Sequence, residues 1–308
     1  MLLTPRADQF QFIGDIHQAW SQGAQNVVGV ASTGFGKTVC LGYMAEQHPG
    51  ASCIIAHRQE LVGQISLTLA RFGIPHNIIA AEPTKRAIAA EHIAKLGKCF
   101  YQPSARCAVA SVDTLIRAKN LAAWAAQVTL WICDEGHHLV QGNKWSRAIE
   151  MFSNPSVKGL QPTATPERAD GKGLGRHADG FADVMVEGPP MRWLIDQGFL
   201  TDYRVICVKS DMDMLAQDVG KSGDWSLQQL KKASQKSKIV GDVVATYLKW
   251  ARGKRHITFT TDIDTAMQMT AAYVAAGVRA ACLTGKTVGP LRRQYLQQFE
   301  AGELEELV

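Results

Sequence analysis

The sequence predicts an α/β fold built on a parallel sheet, and three observations carry that reading. Short apolar runs alternate with amphipathic stretches, the rhythm of βα units. An early run, NVVGV, leads into the glycine-rich turn ASTGFGKT and then a helical pattern. A later run, VTLWIC, ends in two adjacent carboxylates, Asp134 and Glu135. At roughly 150 residues per domain, 308 residues suggest two domains.

In chain order, strands are expected at 26–31, 52–56, 107–111, 128–133 and 156–160. Helices fit about 6–22, 37–48, 59–72, 112–118 and 145–152. From 161 to 188 the chain is rich in Gly and Asp without a clear period, which reads as a long loop. A short helix at 190–198 follows Pro189 and Pro190. The rhythm then restarts, with strands at 203–208, 256–260, 279–283 and 304–308. Helices fit 226–233, 236–251, 263–276 and 288–300. This places a boundary near 200, giving domains 1–200 and 201–308. The last strand reads as incompletely paired, leaving an open sheet edge and a less stable second domain.

Composition narrows the function classes. Hydrophobic residues at 46% and charged residues at 20% are ordinary for a soluble protein. No run of 18 apolar residues exists, which excludes a membrane-spanning helix. The N-terminus lacks an apolar signal segment, and a cytoplasmic location is expected. The formal charge of +5 leans toward a polyanionic partner without deciding one. The seven cysteines include no C-x-x-C pair and read as reduced, buried thiols. Cys99, Cys107 and His92 match no zinc spacing.

The turn from Ala31 to Thr38 has the strand–loop–helix setting that phosphate binding needs. Thr33, Gly34, Phe35 and Gly36 would curl the backbone so that N–H groups face anionic oxygens. Lys37 would reach the β- and γ-phosphates, and Thr38 would offer a hydroxyl to Mg²⁺. Ala31 stands where the general pattern has glycine, and its small side chain still allows the entry turn. Asp134 would hold Mg²⁺ and Glu135 would orient and deprotonate the attacking water. Lys37, Asp134 and Glu135 are thus the candidate catalytic residues, with ATP and Mg²⁺ as cofactors and Thr38 and Asp134 as metal ligands.

ASTGFGKT and CDEGHH together resemble motifs I and II of superfamily 2 helicases, the DEAD/DEAH-box-type group. Gly136 in the third box position is most similar to DECH-type members, including RadD-like helicases and helicase subunits of restriction systems. That resemblance implies a RecA-like P-loop NTPase sheet, complete in the first domain and partial in the second. It also implies an ATP-dependent helicase or translocase. Arg6 and Gln9 match the R-x-x-Q adenine contact, with Asp8 where the family often has an aromatic residue. His57 and Arg58 match motif Ia, and Ser111 and Thr114 match motif Ib, both implying contact with nucleic acid. Thr163 and Thr165 match motif III, and His137 the residue that couples nucleotide state to it. DGKGLG followed by LIDQGFLTDY resembles the segment after motif III. FTTDIDTA and LTGKT resemble motif IV and the following strand, with Thr260 as its nucleic-acid residue. The implied partner is nucleic acid, DNA rather than RNA.

Two further family elements, including Q-x-x-G-R-x-x-R with its arginine fingers, do not occur in the 308 residues. The expectation is a chain cut before them, binding ATP–Mg²⁺ and nucleic acid but hydrolysing weakly and not unwinding duplexes. Arginine fingers are worth roughly 10³–10⁵ in rate. Two alternatives stand beside the helicase reading. One is a non-unwinding, nucleotide-dependent nucleic-acid-binding module. The other is a P-loop ATPase acting on protein.

Overall fold

The structure, a computed structural model, describes residues 3–168, 171–207 and 239–308. The chain divides into two compact units, Met1–Asp202 and Tyr203–Val308. The first runs α1 (Ala7–Ser21), β1 (Asn26–Val30), α2 (Lys37–Gln47), β2 (Ala51–Ala56), α3 (Gln59–Arg71), β3 (His76–Ile79) and α4 (Glu82–Leu96). It continues with β4 (Cys107–Ser111), the short α5 (Val112–Leu115) and α6 (Ala122–Ala125), and β5 (Val128–Cys133). Then come α7 (Lys144–Ile149), β6 (Lys158–Thr163), β7 (Val184–Glu187) and α8 (Met191–Asp196). Gly136–His138 and Arg176–Ala178 form single 3₁₀ turns.

The seven strands form one sheet in the order β3-β4-β2-β5-β6-β1-β7, every ladder parallel. Parallel sheets are covered on both faces, so their central strands read as unbroken apolar runs. Ser52 to Ala56 of β2 are all buried. Alternate residues feed two cores. Ile54 and Ile132 join Phe12, Leu41 and Leu69 on one side, while Ile55, Trp131 and Cys133 join Leu115, Leu139 and Trp145 on the other. Because all strands point one way, their carboxyl ends share one edge. The loops after β1, β2, β4, β5 and β6 all leave from it, the usual place for a site in such sheets.

The second unit holds α9 (Ile239–Trp250), β8 (His256–Ile257), α10 (Ile263–Ala275), β9 (Ala280–Ala281), α11 (Gly289–Glu300) and β10 (Glu306–Leu307). Its three-stranded sheet has the order β8-β10-β9.

Several expectations are corrected. The strand expected at 156–160 is Lys158–Thr163, running through Gln161 and Pro162. β3, α4 and β7 were not expected at all. The helix expected over 112–118 ends at Leu115. Residues 203–207 form no strand, and Val205 is 74% exposed, because YRVIC pairs with no ladder among the described residues. The strands expected at 256–260 and 279–283 shorten to two residues each. β10 is not an open edge. It is the central strand, paired with β8 and β9, and Glu306, Leu307 and Val308 are buried. The helix expected at 226–233 lies outside the described residues.

Candidate active site

The loop after β1 turns through two left-handed glycines, Gly34 at φ 84° and Gly36 at φ 91°, before α2 begins at Lys37. Side chains there would fail on space as well as on φ. A Cβ at Gly34 would lie 2.5 Å from Leu200, and one at Gly36 would lie 2.5 Å from Gln9. Phe35, between them, is fully buried and packs edge-on against Phe12 at 5.4 Å. Its carbonyl accepts hydrogen bonds from Gln9 Nε2 (2.8 Å) and Arg6 Nη2 (3.1 Å). The loop is thus pinned from below by an aromatic ring and from the side by α1.

Lys37 Nζ donates to the Ala31 carbonyl at 2.8 Å, folding back into its own loop. Burial holds its pKa below the usual lysine value, and the charges of Glu135 and Asp134 oppose that shift. The Ser32 hydroxyl is buried in the same loop with no protein partner. Thr33 and Gly34 are exposed, and Thr38 is half-buried on the first turn of α2.

Across the edge, Asp134 leaves β5 with its amide bonded to the Ile55 carbonyl at 3.0 Å. Burial, with help from the neighbouring Glu135 charge, pushes its carboxyl up to about 6, against the pull of Lys37. Glu135 itself sits at φ 56°, in the left-handed region. Such a conformation in a non-glycine residue costs on the order of 1–3 kcal/mol and needs a reason. Gly136 follows because β6 lies directly against it. A Cβ there would lie 2.9 Å from the Gln161 backbone. His137 Nδ1 lies 3.1 Å from Thr163 Oγ1 and 3.5 Å from Glu135 Oε2. Thr163 is buried, and its hydroxyl donates to the Thr165 carbonyl at 2.9 Å. With that proton engaged, the contact to His137 requires a proton on His137 Nδ1. Thr165 is exposed and joins this network through its backbone.

The predicted nucleic-acid residues of the first unit lie on the same edge. His57 follows β2, and Arg58 caps the start of α3, donating from Nε to His57 Nε2 at 3.1 Å. Burial and the Arg58 charge hold His57 below the usual histidine range. Ser111 ends β4 and Thr114 lies on α5, both half-buried. The carboxylate of Asp113 between them is paired with Lys144 at 3.0 Å. Thr260 lies in the second unit, where its hydroxyl donates to the Asp262 carbonyl at 3.2 Å. Among the described residues no group of three or more His, Cys, Asp or Glu could hold a metal ion.

Some site residues escaped the sequence. The Phe199 ring stacks on the Arg6 guanidinium at 4.3 Å and stays 45% exposed. Leu200 covers Gly34, and Leu194, fully buried, anchors both to the core. The signal available was Gly198 at φ 74°, a helix stop that turns the next two residues back onto the fold. Asp8 binds Arg6 Nη2 at 2.7 Å and so fixes the guanidinium.

A family model for the type III restriction enzyme res subunit matches residues 2–168, which carry both the phosphate loop and the Asp134–Glu135 corner. The chain belongs to that family. It is a res-type, superfamily 2 helicase-like domain with a RecA-like sheet. A 51.5 kDa protein of Lactococcus phage (isolate 7-9) is 28% identical over 280 residues, covering 89% of this chain and 52% of the phage protein. The res-type chain thus spans about half the length of the curated relative it matches. The helicase domain of Pyrococcus furiosus Hef superposes with a TM-score of 0.54 at 15% identity, over 99% of this chain and 85% of that one. Mycobacterium smegmatis helicase Lhr, solved with ssDNA and AMP-PNP, gives 0.51 at 15% identity, over 98% of this chain and 41% of that one. These likenesses show the fold. No helix among the described residues is long and apolar enough to cross a membrane.

Proposed function

We propose that this chain binds ATP–Mg²⁺ on the strand-end edge of its first unit and uses it in an ATP-dependent helicase or translocase reaction on nucleic acid. The observation that carries the reading is the convergence of Lys37 and Asp134, both half-buried at the strand-end edge, with the Glu135 charge acting on each. A lysine in a glycine-rich loop facing two crowded carboxylates suits a polyanion with a divalent cation between them. The unpartnered Ser32 hydroxyl and the raised Asp134 carboxyl both fit that occupant.

In this reading the loop amides of 33–36 and the Lys37 ammonium hold the β- and γ-phosphates. Thr38 and Asp134 hold Mg²⁺, which would neutralise phosphate charge. Glu135 accepts the proton of the attacking water, its carboxylate 3.5 Å from His137 Nδ1. Arg6, fixed by Asp8 and Phe199, and Gln9, bonded to the loop, flank the base. His57, Arg58, Ser111 and Thr114 contact the strand's phosphates, so binding should be salt-dependent and tolerant of sequence. DNA is preferred over RNA, and Thr260 of the second unit, a RecA-like unit, also contacts nucleic acid. Without Q-x-x-G-R-x-x-R in these 308 residues, the polypeptide turns over slowly.

Steady-state ATP hydrolysis with and without single-stranded DNA tests this. Slow turnover is expected, and Glu135→Gln should reduce it by about 100-fold or more while nucleotide still binds. Turnover that survives Glu135→Gln removes the assigned base.

A further inference from the structure

We infer that His138 and Trp145 are positioning residues that couple the nucleotide end of the first unit's edge to its nucleic-acid end. The inference rests on the functional reading above. His138 is the residue after the coupling histidine, and its ring lies 4.2 Å from that of His137. His137 in turn touches Thr163 and Glu135, the assigned base itself. On its other side the His138 ring stacks nearly parallel on Trp145, at 5.6 Å and 14°. It also meets the His57 ring edge-on at 5.4 Å. Trp145 reaches His57 as well, at 6.0 Å. A continuous set of ring contacts therefore runs from Glu135 to the His57–Arg58 pair.

The two rings of the stack are held differently. Trp145 is 5% exposed and sits on α7, whose cap Asn143 accepts from its amide. The same Asn143 donates from Nδ2 to the His138 carbonyl at 2.8 Å, tying the 3₁₀ turn to α7. Trp145 is thus buried in the core, whereas the His138 ring is exposed and held on the indole face by the stack. A rearrangement at Glu135 or Thr163 moves the single turn 136–138 and, through the stack, the ring of His57. Coupling free energies of this kind correspond to roughly 5–150-fold in affinity.

The test is the affinity of the full chain for a labelled oligodeoxythymidylate, with and without AMP-PNP and Mg²⁺. The unaltered chain should show an affinity ratio of about 10-fold between the two conditions. In His138→Ala the ratio should fall to within about twofold of unity, with AMP-PNP affinity and nucleotide-free DNA affinity each kept within about twofold. His138→Phe should restore the ratio, because a ring at this position can still stack. Trp145→Phe should give an intermediate ratio. An unchanged ratio in His138→Ala overturns the inference and leaves the functional reading standing. So does a loss of DNA affinity without nucleotide, which would make His138 a plain contact. His138→Phe behaving like His138→Ala overturns it too. No ratio in the unaltered chain, or no DNA binding, fails the functional reading itself.

Discussion

The first unit rests on seven parallel strands of four to six residues, whereas the second unit's sheet has three strands of two residues each. The first buries its central strands between two cores. The second packs Val244 and Tyr247 of α9 against Ala266, Met269 and Tyr273 of α10. It leaves Phe259 93% exposed. The contrast explains where the candidate site sits. Setting Lys37 against Asp134 demands a backbone that does not give, and a deep parallel sheet supplies one. Every site residue but Thr260 lies on the first unit.

Core truncation should sharpen the contrast most. Ile132→Ala removes a fully buried side chain of β5 and should cost about 2–5 kcal/mol. In thermal unfolding it should lower only the transition that AMP-PNP raises. A single transition, raised as a whole by nucleotide, would break the distinction between the units.

Acidity should act on the two units with opposite sign. His76 is buried between the Ser66 hydroxyl and the Ile74 carbonyl, and burial holds it down to about 4. Its contribution is complete above the ordinary value near 6.5 and is lost as pH falls toward 4, up to about 3 kcal/mol. In the second unit burial pushes Glu306 up to about 7, so its contribution is complete below about 4.5 and is lost as pH rises through 7. Burial holds its partner His256 below the usual range, which works the other way. The raised Asp134 carboxyl works the other way in the first unit, so denaturant unfolding at pH 5 and pH 8 should show that unit weaker in acid once Asp134→Asn removes it. The same unfolding should also show Glu306→Gln stabilising the second unit more at pH 8 than at pH 5. A uniform pH response across both units would count against the assignment.

A smaller effect is expected at the rim of the phosphate loop. Phe199→Ala should weaken AMP-PNP binding about threefold, roughly the 0.5–1 kcal/mol of one exposed cation–aromatic contact, without changing either unfolding transition. Unchanged affinity would leave Phe199 as a mere cover for Arg6.

The apolar runs of β1, β2, β4 and β5 made the sheet legible, because strands buried on both faces leave an unbroken signal. α4 was invisible for the converse reason. Its buried residues Thr84, Ile88 and His92 lie on one face at a spacing of four, and only one of them is apolar. β6 hid behind Gln161 and Pro162, since proline argues against an interior strand. β7 is a mostly exposed edge emerging from a glycine-rich loop. At the site, the phosphate loop and the Asp134–Glu135 corner were readable as local strings. The Phe199–Arg6 stack was not, because its members are 193 residues apart in sequence (199 − 6 = 193). Nor was the reason for Gly136, which lies in the backbone of a neighbouring strand.

The central claim is that the first unit's edge is a nucleotide site organised by Lys37. Isothermal titration of the full chain with AMP-PNP and Mg²⁺, alongside Lys37→Ala, addresses it most directly. One site per chain is expected, with affinity reduced about 100-fold or more in the variant, the cost of leaving phosphate charge unpaired in a partly buried loop. Equal affinity in both proteins would contradict the account.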